Sequence, residues 1–159
     1  MAIAVPAVAL ASSGGRSAVA TPRCTAAHTH VWLALSPNGA AGTIFYPVEF
    51  TNLGSTTCTL RGYPGVAAIN GAGSKLGRAA SRIGVPVTTV TLKPDQTAHA
   101  NLGIEETGAV ICRPVNAAGL QVFAPGQTVR QIVSNFTFKA CRHKVYLRVF
   151  PVTPGIGVP

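Results

Sequence analysis

The chain has 159 residues and a formal net charge of +9, with 47% hydrophobic residues and only 11% charged ones. This length and hydrophobic content fit one domain with a sizeable core and exclude a disordered chain. Thirteen lysines and arginines stand against four aspartates and glutamates, a balance that favours anionic partners and leaves few acid-base groups for an enzyme.

The N-terminus has the composition of an export signal. Residues 2–11 are apolar, but this run is shorter than the roughly 20 residues that cross a bilayer. Ala-Val-Ala at residues 18–20 is the small-x-small pattern of a signal peptidase site. No basic residue precedes Arg16, so the basic region typical of such a signal is missing from residues 1–15. We expect a signal peptide over residues 1–20 and one secreted or envelope-associated domain over residues 21–159.

The four cysteines also favour export. Their even number and the lack of a C-x-x-C pair are typical of disulfides in an oxidising compartment, whereas metal binding needs tighter spacing. Four buried free thiols are the alternative. Three pairings are possible, and the sequential one closes loops of moderate length, each worth about 3–4 kcal/mol. We favour that pairing, Cys24 with Cys58 and Cys112 with Cys141.

Short runs of alternating hydrophobic residues, separated by turn residues, predict strands along the chain. The first covers residues 29–35 and ends at a Ser-Pro-Asn-Gly turn. The second covers residues 43–52, where Pro47 indicates an edge or a bulge. A threonine-rich strand then surrounds Cys58. A fourth run is closed by Asn-Gly at residues 70–71, a pair typical of β-hairpins.

The second half of the chain continues this pattern. Residues 70–84 combine glycines with basic side chains and are expected to form a loop. Further strands are expected at residues 88–92, 97–105, 120–124, 128–133 and 144–149. No helical period persists, so about nine short strands predict an all-β fold, with an antiparallel β-sandwich as the leading architecture. The residues expected in its core are Val31, Leu33, Val48, Phe50, Leu102, Leu120, Val122, Leu147 and Val149.

Three patterns that could carry chemistry have simpler explanations. His28 and His30 lack a third ligand nearby in the sequence, so we expect no metal. The glycine-rich stretch lacks the spacing of a P-loop and a following helix, which favours a hairpin loop. A hydrolase could use Asp95 and His99, but no G-x-S-x-G elbow supplies the nucleophile. We therefore expect no catalytic residues and no cofactor.

The C-terminal third is strongly basic. After Glu106 the chain has six lysines and arginines and no carboxylate. Alternation along the last strand places three of the side chains on one face. We expect a basic, aromatic-bearing patch that binds anionic polymer weakly and in a salt-dependent way, with a solvated strand face as the alternative. The patch comprises Lys139, Arg142, Lys144, Tyr146 and Arg148.

The central stretch resembles a known family. The pattern Asn-x-Gly-Ser-x-x-Cys-x-Leu-x-Gly-Tyr-Pro-Gly-Val at residues 52–66 is similar to that of secreted actinobacterial proteins grouped as domain of unknown function 4232. Residues 92–100 and the Cys-x-Pro at 112–114 match as well, and the resemblance covers residues 24–152. It implies an immunoglobulin-like sandwich, an exported location and, often, a membrane or lipid tether, with no catalytic residues to transfer. We expect this chain to depart from tethered members, because residues 1–159 show neither a lipobox nor a transmembrane helix.

We therefore expect an exported, monomeric, non-catalytic binding or interaction module at the bacterial cell envelope or outside it. One alternative is a structural envelope protein that its positive charge holds to anionic wall polymer. Another is an enzyme or an enzyme inhibitor that acts through residues 70–84. The expected partner is an anionic envelope polymer or another exported protein. Nucleic acid is not expected, because the basic residues are scattered rather than clustered in a run.

Overall fold

A computed structural model describes residues 19–108 and 110–157, apart from the side chain of Asn135. Most of the expected signal peptide therefore lies outside the described residues. The described chain forms thirteen strands, which confirms the all-β class. These strands are β1 Thr29–Leu33, β2 Asn38–Ala40, β3 Thr43–Asn52, β4 Cys58–Arg61, β5 Gly65–Ile69, β6 Lys75–Leu76, β7 Ser81–Arg82, β8 Thr89–Leu92, β9 Thr97–Glu105, β10 Pro114–Phe123, β11 Gln131–Cys141, β12 Leu147–Val149 and β13 Thr153–Pro154.

The expected number of strands, about nine, was too low. The additional strands are β2, β6, β7 and β13, which have only two or three residues each. An alternating pattern needs at least four residues to be recognised in a sequence. Two of these short strands, β6 and β7, lie within the stretch 70–84 that was expected to be a loop.

The strands form three sheets. A seven-stranded sheet has the order β1-β3-β9-β12-β7, with β2 beside β3 and β13 beside β9, while β11-β10-β5-β6 form a second sheet and β4-β8 a third. All strand pairs are antiparallel except β12 with β7, so the expectation of a wholly antiparallel fold is wrong at that pair. The hairpin predicted at Asn70-Gly71 is confirmed, because it joins β5 to β6.

One cluster of buried side chains joins all three sheets. Its members include Phe50 from the seven-stranded sheet, Leu120 from the four-stranded sheet and Leu60 from the two-stranded sheet. All nine residues predicted to lie in the core are buried. The alternation in the sequence therefore assigned the inward faces of these strands correctly.

Pro47 lies in the interior of the seven-stranded sheet, so its expected place at an edge or a bulge is wrong. One side of β3 pairs with β9 throughout, and the other side pairs with β2 up to Phe45 and with β1 from Val48 onward. The Pro47 carbonyl accepts a hydrogen bond from Ala34 N at 3.0 Å. The backbone N–H and C=O of one strand residue point to the same side of the strand. The N–H that proline lacks would therefore point into the gap between β2 and β1, where no hydrogen bond of the sheet requires a donor.

Strands β10 and β11 are longer than the predicted strands at 120–124 and 128–133. Their register shifts between Ala117 and Gly119, and such a bulge interrupts the period-two alternation used for the prediction. Gly119 lies against the backbone carbonyl of Val133, where a Cβ would overlap the oxygen. This close approach of two backbones explains the glycine.

Both expected disulfides are present, and they join Cys24 to Cys58 and Cys112 to Cys141. The first links the segment before β1 to the start of β4. The second links the segment before β10 to the end of β11. No cysteine is free.

The open edge of β1 is capped by a side chain of the neighbouring sheet. The amide of Gln131 accepts a hydrogen bond from Val31 N at 3.2 Å and donates one to the Thr29 carbonyl at 2.6 Å. Satisfying the backbone groups of an edge strand in this way blocks its pairing with another chain. Across residues 19–108 and 110–157, the structure contains no helix of the length and hydropathy needed to span a membrane.

Candidate functional site

The predicted basic patch is only partly assembled. Arg142, Lys144 and Arg148 are exposed, but Tyr146 is completely buried, so its assignment to the exposed face is wrong. The reason is that β12 begins only at Leu147, and the period of two does not apply to the non-strand residues before it.

Arg148 is neutralised by a carboxylate. Its Nε lies 2.5 Å from Glu105 Oε1, with 54% of the arginine side chain and 17% of the glutamate side chain exposed. The pair borders an open cleft of about 510 Å³, whose walls include Phe45 and Phe150 in an edge-to-face contact. Arg148 therefore contributes little free positive charge to the patch.

Lys139 is also set apart from the rest of the patch. Its Nζ donates a hydrogen bond to Asn116 Oδ1 at 2.7 Å. It borders a cavity of about 210 Å³ that Glu105 and Glu106 also line. Of the five predicted residues, Arg142 and Lys144 thus remain as exposed cations that form no ion pair within the described residues.

The stretch 70–84 is built around side chains that hydrogen-bond to its backbone. Asn70 Oδ1 accepts from Ala72 N at 3.0 Å and from Ser74 N at 2.9 Å, which closes the β5–β6 turn. Further along, Arg82 stacks over the ring of Tyr63 at 5.4 Å, a favourable cation–π contact. These contacts give Asn70 and Arg82 structural roles within the stretch.

A buried carboxylate in β3 was missed by the sequence analysis. Glu49 is fully buried and lies between Trp32 on β1 and His99 on β9. Its Oε1 accepts a hydrogen bond from Gly157 N at 2.8 Å, while Oε2 has no partner among the described atoms. Burial raises the pKa of the Glu49 carboxyl, and the Gly157 N–H and the nearby His99 oppose that shift.

The segment after β12 covers this carboxylate. His99 Nδ1 lies 2.9 Å from the Gly155 carbonyl, and His99 Nε2 lies 3.2 Å from Thr153 Oγ1. A Cβ on Gly157 would overlap Pro47, so the segment fits closely against β3. Because Glu49 is out of reach of solvent, the cluster fastens the C-terminal segment rather than forming an open acid-base site.

The other sequence candidates, Asp95, His28 and His30, are all exposed. Asp95 is exposed in a turn with a φ of 62°, whereas both ring nitrogens of His99 face the C-terminal segment. Throughout the described part of the chain, no three histidine, cysteine, aspartate or glutamate side chains form a group that could hold a metal ion.

Comparison with known proteins identifies a family and gives no function. The family model described as Domain of unknown function (DUF4232) matches residues 24–154, a range that includes both disulfides. No curated protein and no solved structure matches the chain. The function must therefore be inferred from the surface and chemistry of this chain.

Proposed function

The chain belongs to the family Domain of unknown function (DUF4232), and from its own surface we propose that it is an exported, non-catalytic module. It binds an anionic partner at the bacterial cell envelope or outside it. The partner is an anionic envelope polymer or an exported protein with an acidic surface, and the module works as a monomer.

The exposure of the charged side chains carries this proposal. Every lysine and arginine in the described part of the chain is exposed. Of the chain's four carboxylates, Glu49 is buried and Glu105 is paired with Arg148. Asp95 and Glu106 are the two that stay exposed. Such an imbalance creates a positive potential over much of the surface, which attracts anions and weakens as salt screens it.

The two disulfides support an extracytoplasmic location. Disulfides persist in oxidising compartments and are rare in the reducing cytosol. The single core shared by three sheets supports a β-sandwich, and we propose that it is of the immunoglobulin-like kind. Sandwiches present their loops and outer faces to partners without needing a catalytic cleft.

The placement of acid-base groups favours binding over catalysis. General acid-base catalysis needs a titratable group within reach of a substrate. Glu49 is buried, and His99 is occupied by hydrogen-bonding atoms of the segment that follows β12. The exposed Asp95 lies in a turn, and its backbone N–H donates to the Asn52 carbonyl at 2.8 Å. This contact indicates a structural role for Asp95.

Binding of the purified protein to anionic polymers across a salt series tests the proposal. Polyglutamate, poly(glycerol phosphate) and isolated cell-wall polymer are immobilised, and retention is measured between about 20 and 300 mM salt. We expect retention at low salt that falls as the salt concentration rises. Retention by none of these polymers at low salt contradicts the proposal.

A charge-reversal variant examines the remaining part of the predicted patch. Arg142→Glu with Lys144→Glu changes two exposed cations without touching the Arg148–Glu105 pair. We expect this variant to elute at lower salt than the wild type. Identical elution of the two proteins removes Arg142 and Lys144 from the binding surface but leaves the general proposal in place.

A further inference from the structure

Two arginines outside the predicted patch line a single cleft on the two-stranded β4–β8 sheet. Arg23 and Arg61 border this open cleft of about 420 Å³, together with Thr89 and the apolar side chains of Val87 and Pro125. Neither arginine has a carboxylate partner among the described residues. The cleft therefore combines two free guanidinium groups with an apolar wall.

The strand register places both arginines on the outer face of this sheet. Arg23 lies opposite Thr59 in a parallel bridge, and Thr59 and Arg61 share a face because they are two residues apart on β4. Strand spacing and rise put the two arginine Cα atoms about 8 Å apart. The opposite face belongs to the core, where Leu60 and Val90 are buried.

The segment that carries Arg23 is fixed to β4. Cys24 is disulfide-bonded to Cys58, and its backbone N–H donates to the Thr59 carbonyl at 3.0 Å. Thr59 N in turn donates to the Pro22 carbonyl at 2.9 Å. The backbone at Arg23 is thus held before any ligand arrives, which lowers the entropy lost on binding.

Arg61 and Thr89 form a connected pair of donors. Arg61 Nη1 donates to Thr89 Oγ1 at 3.2 Å, so the hydroxyl proton of Thr89 is free to point towards a ligand. The Thr59 hydroxyl is committed to the Pro22 carbonyl at 3.2 Å. The donors available to a ligand are therefore two guanidinium groups and the Thr89 hydroxyl.

The charges around the cleft do not cancel these two cations. The ion pair found among residues 19–108 and 110–157 joins Arg148 to Glu105, neither of which lines the cleft. Asp95 follows β8 at the end of the strand pair away from Arg61. The positive potentials of Arg23 and Arg61 therefore add together within the cleft.

We infer that this cleft binds a phosphate group and that it holds the anionic partner of the protein through this group. The inference rests on the proposed function. Arginine forks bind phosphate with two parallel hydrogen bonds, and the several oxygens of a phosphate can accept from both forks and a hydroxyl together. The two non-bridging oxygens of a phosphodiester point in tetrahedral directions, so each can accept from a different fork. The two oxygens of a carboxylate lie in one plane, where a single fork engages both of them. Val87 and Pro125 offer an apolar surface to the carbon atoms that flank a phosphodiester.

Titration of the full chain with three probes tests the inference. The probes are inorganic phosphate, short poly(glycerol phosphate) and polyglutamate of matched charge. The variant Arg23→Gln with Arg61→Gln is compared with Arg78→Gln plus Arg113→Gln, which removes two exposed arginines that do not line the cleft. We expect about a tenfold or larger loss of phosphate-polymer affinity in the first variant and about twofold or less in the second.

Two further measurements separate a specific site from general attraction. In amide NMR spectra, inorganic phosphate should shift the signals of Thr59, Arg61 and Thr89 first. Arg61→Lys keeps the charge but loses the fork, so its affinity should fall while its thermal unfolding midpoint stays that of the wild type. If the protein binds poly(glycerol phosphate) more tightly than inorganic phosphate, the phosphate group that occupies the cleft belongs to a polymer. If the two probes bind equally, the ligand of the cleft is free phosphate.

The outcomes distinguish this inference from the proposed function. Equal losses in the two double variants, or first shifts elsewhere on the protein, overturn the cleft as the site while wild-type binding stands. Equal affinity for polyglutamate overturns the assignment of phosphate. Absence of wild-type binding to every probe at low salt contradicts the proposed function itself.

Discussion

Two buried polar side chains show what alternation in the sequence could not reveal. Glu49 occupies the face of β3 opposite to Val48, yet both side chains are fully buried. Tyr146 is buried next to Leu147, and its hydroxyl has no partner among the described atoms. Burial on the second face of β3 depends on the segment that contains Gly157, more than a hundred residues away. A local pattern carries no information about such a contact.

The buried Glu49 predicts a specific pH dependence of stability. Burial raises its pKa in the folded protein, so the folded state holds the proton more tightly than the unfolded state. The carboxyl therefore favours folding below the unfolded-state pKa, and this contribution is lost as pH rises through the folded-state pKa. Glu49→Gln removes the titration while keeping an oxygen that can accept from Gly157 N. We expect the variant to gain stability relative to the wild type as pH increases over that window.

Urea unfolding between about pH 3 and pH 8 measures this difference. Glu106→Gln serves as a control, because it removes an exposed carboxyl and should follow the wild type. His99→Gln tests whether the neighbouring imidazole accounts for any part of the change. A stability difference between Glu49→Gln and the wild type that is the same at all pH values would contradict the prediction. So would a difference that moves in favour of the wild type as pH rises.

At the level of elements, the sequence predicted the existence of strands better than their lengths. The strands with clean alternation, such as β9, have buried residues at the expected positions. The bulge between Ala117 and Gly119 concealed the first half of β10. The pairing order of the seven-stranded sheet, in which β3 lies between β1 and β9, depends on long-range contacts that no single strand encodes.

The central strand β9 supports a direct test of this packing. Leu102 is fully buried and pairs with Tyr46 on one side and Val149 on the other. Leu102→Ala should lower the free energy of unfolding by about 2–5 kcal/mol, because it removes buried methyl groups and leaves a cavity. Chemical denaturation monitored by tryptophan fluorescence measures the loss. Leu35→Ala is the matched control, since Leu35 is 65% exposed and its truncation should cost less than about 0.5 kcal/mol.

A loss well below 1 kcal/mol for Leu102→Ala would mean that the side chain does not lie in a packed core, and it would contradict the register of β9 against β3 and β12. A loss for Leu35→Ala as large as that for Leu102→Ala would contradict the outward orientation of Leu35.

At the scale of the whole molecule, the net charge and the disulfide pairing could be predicted from the sequence. The positions of the charged side chains that have no partner of opposite charge could not. The predicted patch failed at Arg148 because Glu105, on a different strand, neutralises it. The cleft of Arg23 and Arg61 was missed because its two arginines are separated by more than thirty positions in the sequence. A disulfide and one parallel bridge bring their backbones together, and neither arginine stands out in the linear sequence.

The two disulfides should each carry a large share of the stability of this domain. They close loops with sequence separations of 34 and 29 residues. The second loop is also held by the pairing of β10 with β11 in the folded protein, but the disulfides act mainly by restricting the unfolded chain. Loop-closure entropy gives about 3–4 kcal/mol for each, which is a considerable fraction of the roughly 5–15 kcal/mol by which domains are stable. We therefore expect Cys24→Ala with Cys58→Ala, and separately Cys112→Ala with Cys141→Ala, to lower the free energy of unfolding by that amount.

Non-reducing peptide mapping first establishes that both bonds form in the protein, and urea unfolding of the two double variants then gives the losses. The two variants should also differ in binding. Only the loss of the Cys24–Cys58 bond releases the backbone beside Arg23. This bond adjoins the hydrogen bond from Cys24 N to the Thr59 carbonyl of β4. At temperatures where both variants remain folded, the first should bind poly(glycerol phosphate) more weakly than the second. Free thiols in the wild-type protein, or losses below about 1 kcal/mol in both variants, would contradict the entropic role of the two bonds.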